Sequence, residues 1–249
     1  MRKHQSRATH TGTTVVQRSL AGILITFMVI THVYARTGPA HNGSGRTDFT
    51  GVWAPVFSED WGPRLPGPER GDYVGLPVND AARKVADAWD ADIQYRLEGQ
   101  CIPHTAVYIM RSPFQFEILQ SDNILTMVSE SFEQVRTVYL DGRDHHPEEA
   151  PLTYMGNSVG SWDGDTLVIR TVNMEEGYIR RNGLPHSSKA VLTERLIRHT
   201  GTYGDYLTLI QIVEDPVYLT EPLVRSISFK HVPDGRLEPY PCIKFDFDK

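Results

Sequence analysis

The chain contains only two cysteines, Cys101 and Cys242, among its 249 residues. It lacks the GxGxxG and GxxxxGK[ST] loops that hold nucleotide phosphates, which disfavours cofactor-driven redox chemistry and phosphoryl transfer. It also lacks the HExxH spacing of zinc enzymes, and neither cysteine has a neighbouring pair of zinc ligands. The sequence therefore predicts a protein that uses no metal and no cofactor, with a metal site of two histidines and Glu194 as the alternative.

Acidic residues are missing from the first 35 positions, which carry four basic residues. An apolar run from Leu20 to Val33 follows, and with the small residue Ala35 it completes the layout of a signal peptide. Residues 1–35 are therefore predicted to be cleaved after Ala35, with an uncleaved N-terminal membrane anchor as the alternative. Both arrangements predict that the rest of the chain is periplasmic or secreted.

Export has consequences for the cysteines and for the charge. In an oxidising compartment Cys101 and Cys242 are predicted to form a disulfide, with two unpaired thiols as the alternative. Removal of residues 1–35 takes away four of the 25 basic residues and no acidic residue, which leaves a net charge of −10. This charge argues against nucleic acid and anionic membranes as partners. Residues 36–48 predict a flexible leader, and residues 49–249 a single domain.

The remaining sequence has a β pattern. From Phe114 onward, apolar and β-branched runs are separated by turn residues at intervals of roughly 10–14 residues. The clearest pair spans residues 155–171, where Asp163-Gly164-Asp165 separates two such runs. No long helical pattern interrupts them, which disfavours parallel βαβ folds. We predict an all-β fold, an antiparallel lipocalin-like β-barrel, with a β-sandwich as the alternative.

One short helix is predicted before the strands. Asn79 or Asp80 can cap it, and apolar residues recur at steps of three and four as far as Tyr95. The segment before this helix is rich in proline and glycine, which is typical of a long ordered loop or lid. Trp61 and Tyr73 lie in this loop, in positions from which they can close over a hydrophobic ligand.

Several segments share a recognisable pattern: VRTVYLDGRDHHP, YMGNSVGSWDGDTLVIRTVNM, PHSSKAVLTERLIR and VEDPVYLTEP. In this order they resemble a large family of exported, mostly uncharacterised bacterial proteins, over about residues 49–243. The resemblance implies family membership but supplies no established activity. The chain departs from the pattern at Asn157, where the family has histidine, and at His104, where it has glycine or proline.

Two charged residues lie on strand faces that are otherwise apolar. Arg136 and Glu194 both alternate with hydrophobic neighbours along their strands. Burying such charges is costly unless they are paired and hydrogen-bonded. A pair inside the barrel would be either a structural network or a ligand site in which Arg136 anchors an oxyanion or carboxylate. Side chains that face solvent are the alternative interpretation.

Three histidines lie in loops near these strands. His145 and His146 follow an Asp-Gly turn, and His186 precedes the strand that carries Glu194. A neutral imidazole can act as a general base. We predict His186 as the base, Glu194 as its orienting partner or the acid, and His145 and His146 as further catalytic candidates. Solvated loop side chains are the alternative interpretation.

Trp162 and Asn157 complete the predicted ligand contacts, because their hairpin lies between the two histidine loops in sequence.

Two functions are consistent with these candidate residues. The first is an exported, cofactor-independent isomerase, cyclase or lyase that acts on a small hydrophobic or aromatic molecule in the barrel. The second is a lipocalin-like carrier of such a ligand without turnover. A structural envelope protein is the third possibility.

Overall fold

Nine strands form a closed barrel in the part of the chain that this computed structural model describes, which comprises residues 40–56, 68–90 and 101–244. The predicted all-β barrel is therefore confirmed, and closure excludes the sandwich. The predicted signal peptide, its cleavage site and Trp61 lie outside the described residues. The barrel strands are Gly51–Pro55 (β1), Phe116–Gln120 (β2), Ile124–Ser129 (β3), Val135–Tyr139 (β4), Asn157–Asp163 (β5), Thr166–Val172 (β6), Val191–Gly201 (β9), Gly204–Glu214 (β10) and Leu223–Val232 (β11).

The strands follow the order β1-β11-β10-β9-β6-β5-β4-β3-β2, and β2 pairs with β1 to close the ring. A ring with an odd number of strands cannot alternate direction throughout, so at least one neighbouring pair must be parallel. That pair is β4 and β5, with Val138 opposite Ser158 and Tyr139 opposite Val159. The expectation of a fully antiparallel barrel is therefore wrong at this one pair, because residues 140–156 return along the barrel before β5 begins.

The two ends of the barrel differ. At one, here called the turn end, tight turns join β2 to β3, β5 to β6 and β9 to β10. The β5–β6 turn contains Gly164 at a φ of +59°, a conformation that favours glycine, as the Asp-Gly-Asp sequence predicts. The other end, here called the helical end, carries α1 (Asp80–Asp87), α2 (Ala106–Ile109) and a two-stranded hairpin of β7 (Gly177–Tyr178) and β8 (Pro185–His186).

Helix α1 begins as the sequence predicts but ends early. The Asn79 side chain caps it by accepting a hydrogen bond from the Ala82 backbone N–H at 3.0 Å. The helix ends at Asp87, so its predicted continuation through Ala88 to Asp90 is wrong, and residues 91–95 lie outside the described residues. The chain turns here, with the Trp89 N–H bonded to the Ala86 carbonyl, and Trp89 lines a cavity. Helix α2 was not predicted, because four consecutive apolar residues show no helical period.

Cys101 and Cys242 form the predicted disulfide, with their Cα atoms 5.3 Å apart. It joins the segment before α2 to the C-terminal segment, and it fits an oxidising, exported compartment. Within the described ranges, no helix is long and apolar enough to cross a membrane.

Part of the segment predicted to be a flexible leader lies against the turn end. Thr47 is fully buried, and its hydroxyl donates a hydrogen bond to the Asp165 carbonyl at 2.9 Å. The Gln120 side-chain amide donates to the Thr47 carbonyl, also at 2.9 Å. These contacts fix residues next to the start of the barrel at Phe49, which is itself fully buried.

Two apolar clusters form the core. The larger fills the barrel interior and extends to the turn end, where Phe49, Trp53 and Phe229 are its largest fully buried members. The smaller lies at the helical end, under α1 and the β7–β8 hairpin. On β9, Leu196 belongs to the larger cluster and Leu192 to the smaller one, and Glu194 lies between them. A polar residue thus separates the clusters along this strand.

Candidate functional site

Each of six adjacent strands places one polar side chain inward at nearly the same level of the barrel. The strand register sets Gln211 opposite both Glu194 and Arg225. Five of the six side chains are buried. The sixth, that of Arg225, is half-buried, and its guanidinium group lies inside the protein. This polar layer consists of Arg136 on β4, Ser158 on β5, Thr171 on β6, Glu194 on β9, Gln211 on β10 and Arg225 on β11.

Arg136 lies at one side of the polar layer. Its Nη2 lies 2.5 Å from Glu194 Oε2, and both side chains are almost fully buried. The guanidinium also donates to the Ser158 hydroxyl at 3.1 Å and to the Thr171 hydroxyl at 2.7 Å. Arg136 and Glu194 thus form a buried pair, which excludes the solvent-facing interpretation, and the surrounding hydroxyls lower the cost of burying the charges.

Arg225 completes the other side of the polar layer. Gln211 donates to Glu194 Oε1 at 2.9 Å and accepts from Arg225 Nε at 2.8 Å. The other two guanidinium nitrogens donate to the Ile179 and Val107 carbonyls, at 2.9 and 2.5 Å. Burial lowers the pKa of Arg225 to about 9, and the charge of nearby Arg111 acts in the same direction. The layer therefore ties the barrel wall to α2 and to the β7–β8 region.

The barrel interior leaves little space for a ligand. A void of about 20 Å³ borders Arg136, enough for a single water molecule. Arg136 Nη1 has no hydrogen-bond partner among the described residues. Packing is also tight at Gly160, where an added Cβ would lie 2.6 Å from Leu140 Cδ2. The geometry favours the structural interpretation of the Arg136–Glu194 pair over a ligand site in the lumen.

A much larger cavity lies at the helical end, outside the lumen. Its volume is about 950 Å³, which lies within the range of small-molecule sites. Both disulfide cysteines line it, as do Arg180, Arg181 and Glu176. We call it the aromatic cavity, because its wall includes Trp89, His104, Tyr108, Phe114, Phe132, Tyr154, Tyr178 and Tyr240.

His104 is clamped in the wall of the aromatic cavity. The Gln134 side chain accepts from the His104 backbone N–H at 3.1 Å and donates to its carbonyl at 2.7 Å. The imidazole packs against the rings of Tyr108 and Phe132, with centroids 4.8 and 5.5 Å away. Burial lowers the pKa of His104 to about 4, and the charge of Arg181 adds to this effect. The imidazole is therefore neutral at physiological pH.

His186 is fully buried and lies behind Thr105, which forms part of the cavity wall. Its Nδ1 lies 3.2 Å from the Ser187 carbonyl, which can only accept, so Nδ1 carries the proton. Its Nε2 therefore accepts from the hydroxyl of Thr105 at 2.7 Å, and Thr105 lines the cavity. Burial lowers the pKa of His186, with a smaller opposing effect from the Ser187 carbonyl. Both ring nitrogens have protein partners.

The predicted partnership of His186 with Glu194 is not found. Glu194 points into the lumen and binds Arg136 and Gln211, whereas His186 belongs to the hairpin outside the barrel wall. The carboxylate that helps to orient His186 is instead that of Asp215. It accepts hydrogen bonds from the backbone N–H and the hydroxyl of Ser187 at 2.6 and 2.8 Å. Asp215 therefore positions the residue whose carbonyl orients His186.

His145 and His146 lie close to Asn157, as the hairpin position suggested. Asn157 Oδ1 lies 3.2 Å from His145 Nδ1 and accepts from the His146 backbone N–H at 2.9 Å. Neither histidine lines the aromatic cavity. Asn157 thus anchors the connection between β4 and β5, at the position where the family pattern has histidine.

The aromatic residues predicted to bind ligand lie elsewhere. Trp162 is half-buried at the turn end, stacked on Phe49 with ring centroids 6.0 Å apart. Tyr73 is buried in the smaller core cluster, where its hydroxyl donates to Asp87 at 2.6 Å. Neither contacts the aromatic cavity, and Trp61 lies outside the described residues.

Sequence reasoning missed the cavity residues His104 and Thr105 as site candidates. One signal was present for His104, since it departs from the family pattern. Among the described residues, no group of three His, Cys, Asp or Glu side chains is arranged to hold a metal ion. Compared with known protein families the chain matches none, and a search among curated proteins also finds no match. The family resemblance therefore stays a prediction.

Proposed function

We propose that this protein is exported by its N-terminal signal peptide and binds a small hydrophobic or aromatic molecule in the aromatic cavity. The observation that carries the proposal is the cavity itself, with about 950 Å³ of space and a wall to which the described residues contribute eight aromatic side chains, counting the imidazole of His104. Such a wall offers stacking and apolar contact to a ring system. The small void of about 20 Å³ beside Arg136 in the lumen supports a ligand site at the helical end.

Mass spectrometry of an organic extract of the purified protein tests this proposal. We expect one small hydrophobic or aromatic molecule in near-stoichiometric amount. Tyr240→Asp, which puts a charge at the cavity wall, should reduce the recovered amount severalfold. Tyr203→Asp is the matched control, since Tyr203 is 80% exposed in the β9–β10 turn and remote from the cavity. Equal recovery from both variants would contradict the location of the site.

Acid–base turnover of the bound molecule is the second candidate function. It is favoured by the Thr105 hydroxyl, which lies at the cavity wall and donates to a neutral His186. In this mechanism Thr105 takes a proton from the ligand while its own proton moves to His186 Nε2. The proton therefore passes from the ligand to the imidazole without a cofactor.

Exchange of ligand hydrogen for deuterium distinguishes an enzyme from a carrier. The molecule recovered in the extract is incubated with protein in D₂O, and its mass is followed with time. An enzyme should catalyse deuterium incorporation at one carbon, and His186→Gln should abolish the exchange while the molecule still binds. A carrier leaves the mass unchanged at that carbon.

A further inference from the structure

The wall of the aromatic cavity contains the imidazole of His104, whose nitrogens are not bound by any of the described residues. His104 contributes its backbone to Gln134 and its ring faces to Tyr108 and Phe132. Among the described residues, no atom forms a hydrogen bond with either imidazole nitrogen. His104 lines the cavity, so a ligand group in the cavity can form a hydrogen bond with one of these nitrogens.

The local backbone holds this ring in place with some strain. Phe132 has a φ of +54°, a conformation that is rare and costly for a bulky residue. The same turn carries Gln134, whose amide makes both backbone hydrogen bonds to His104. The β3–β4 turn therefore provides an aromatic face for the imidazole and a clamp for its backbone. Such preorganisation is typical of a residue that contacts ligand.

The neutral state of the ring also favours a hydrogen-bond donor on the ligand. Arg181 lines the cavity and opposes protonation of His104, so the imidazole presents one acceptor nitrogen and one donor nitrogen. A hydroxyl on an aromatic or enolic carbon supplies the single donor that this acceptor nitrogen can bind. The surrounding Phe114, Phe132 and Tyr240 rings match the apolar body of such a molecule.

We propose that His104 is the polar contact of the aromatic cavity and accepts a hydrogen bond from the hydroxyl of a phenolic or enolic ligand. This inference rests on the proposed function and narrows its ligand class. His104 is then a specificity-determining residue, in contrast to the fully partnered His186.

Two probes that differ by one donor test the inference: 2-naphthol, which carries a hydroxyl, and 2-methoxynaphthalene, which does not. Their affinities for the purified protein are measured from the change in naphthalene fluorescence. One hydrogen bond to a buried acceptor predicts about tenfold tighter binding of 2-naphthol. His104→Phe keeps a planar ring between Tyr108 and Phe132, so it should bind 2-methoxynaphthalene as the parent does and lose the preference for 2-naphthol.

The controls keep the outcomes distinct. His199→Phe changes an exposed histidine on β9 and should retain the tenfold preference. His104→Gln keeps an acceptor and should retain part of it, and circular dichroism verifies the fold of each variant. Equal affinities of the parent for both probes, or a preference that survives in folded His104→Phe, would overturn the role of His104 alone. Binding of neither probe would overturn this inference together with the proposed aromatic site.

Discussion

The barrel interior and the aromatic cavity are built from similar residue types and have opposite properties. The interior contains two arginines and a glutamate, yet apart from Arg136 Nη1 these side chains bind one another or neighbouring polar groups, and they leave a void of about 20 Å³. The cavity has about 950 Å³ of space and an imidazole whose nitrogens are unused by the described residues. Polar groups that satisfy each other make structure, and polar groups held apart from partners in open space make a binding site.

The difference also separates two kinds of histidine. His186 is fully buried and has a partner for each nitrogen, whereas His104 is clamped by its backbone and leaves its ring nitrogens to the cavity. Changes in the polar layer should therefore alter the stability of the barrel. Changes in the cavity wall should alter binding with smaller effects on folding.

The largest effect is expected from breaking the polar layer. Glu194→Leu leaves Arg136 buried without its carboxylate, and the free energy of unfolding should fall by about 3–5 kcal/mol. Arg195→Leu is the matched control, because Arg195 follows Glu194 on the same strand and forms a surface ion pair with Asp163 at 2.8 Å. Loss of this surface pair should lower the free energy of unfolding by less than about 1 kcal/mol. Urea denaturation measures both values. Similar losses in the two variants would remove the distinction between layer and surface.

The second-largest effect is expected from removing the disulfide in the cavity wall. Replacing Cys101 and Cys242 together by serine should lower the free energy of unfolding by about 2–4 kcal/mol, because the bridge restricts the unfolded chain. The variant should also bind 2-methoxynaphthalene more weakly, since both residues line the cavity. Urea denaturation and naphthalene fluorescence measure the two effects. Unchanged stability would show that the bridge contributes nothing to the fold.

The pH dependence of stability should differ between the parent and His104→Phe. His104 has a pKa of about 4 in the folded protein and about 6.5 when unfolded, so the unfolded state binds more protons between these values. Acidification from pH 7 to pH 4 should thus cost the parent up to about 3 kcal/mol through this residue. The variant should be spared that part of the loss. Parallel curves of unfolding free energy against pH would contradict the neutral, buried state of His104.

The smallest effect is expected at the cavity rim. Tyr240 is 52% exposed and stacks on Phe114 with ring centroids 4.7 Å apart. Tyr240→Ala removes one aromatic wall, so 2-methoxynaphthalene should bind about fivefold more weakly, corresponding to about 1 kcal/mol. Tyr203→Ala at the turn end should leave the affinity unchanged. Thermal unfolding of both variants should change little, in contrast to the polar layer.

Much of the fold was predictable because its signals are local. The Asp163-Gly164-Asp165 turn and the alternating runs on either side define β5 and β6, and Asn79 caps α1 as its residue type suggests. The sequence also placed Arg136 and Glu194 on apolar strand faces, but it left open whether they form a structural network, bind a ligand or face solvent. The parallel β4–β5 pair was not, because strand direction around a closed ring depends on all nine strands together.

The sequence alone predicted an all-β fold, as a barrel or a sandwich, and a disulfide between the two cysteines. Tertiary structure alone decided where space remains. Whether a charged pair encloses a ligand or fills the lumen depends on side chains from six strands meeting at one level. In the same way, His104 becomes a candidate binding residue only because segments distant in sequence, including α2, the β3–β4 turn and the C-terminal segment, leave a cavity around it. Local patterns report which groups must be buried, whereas cavities are set by contacts between distant residues.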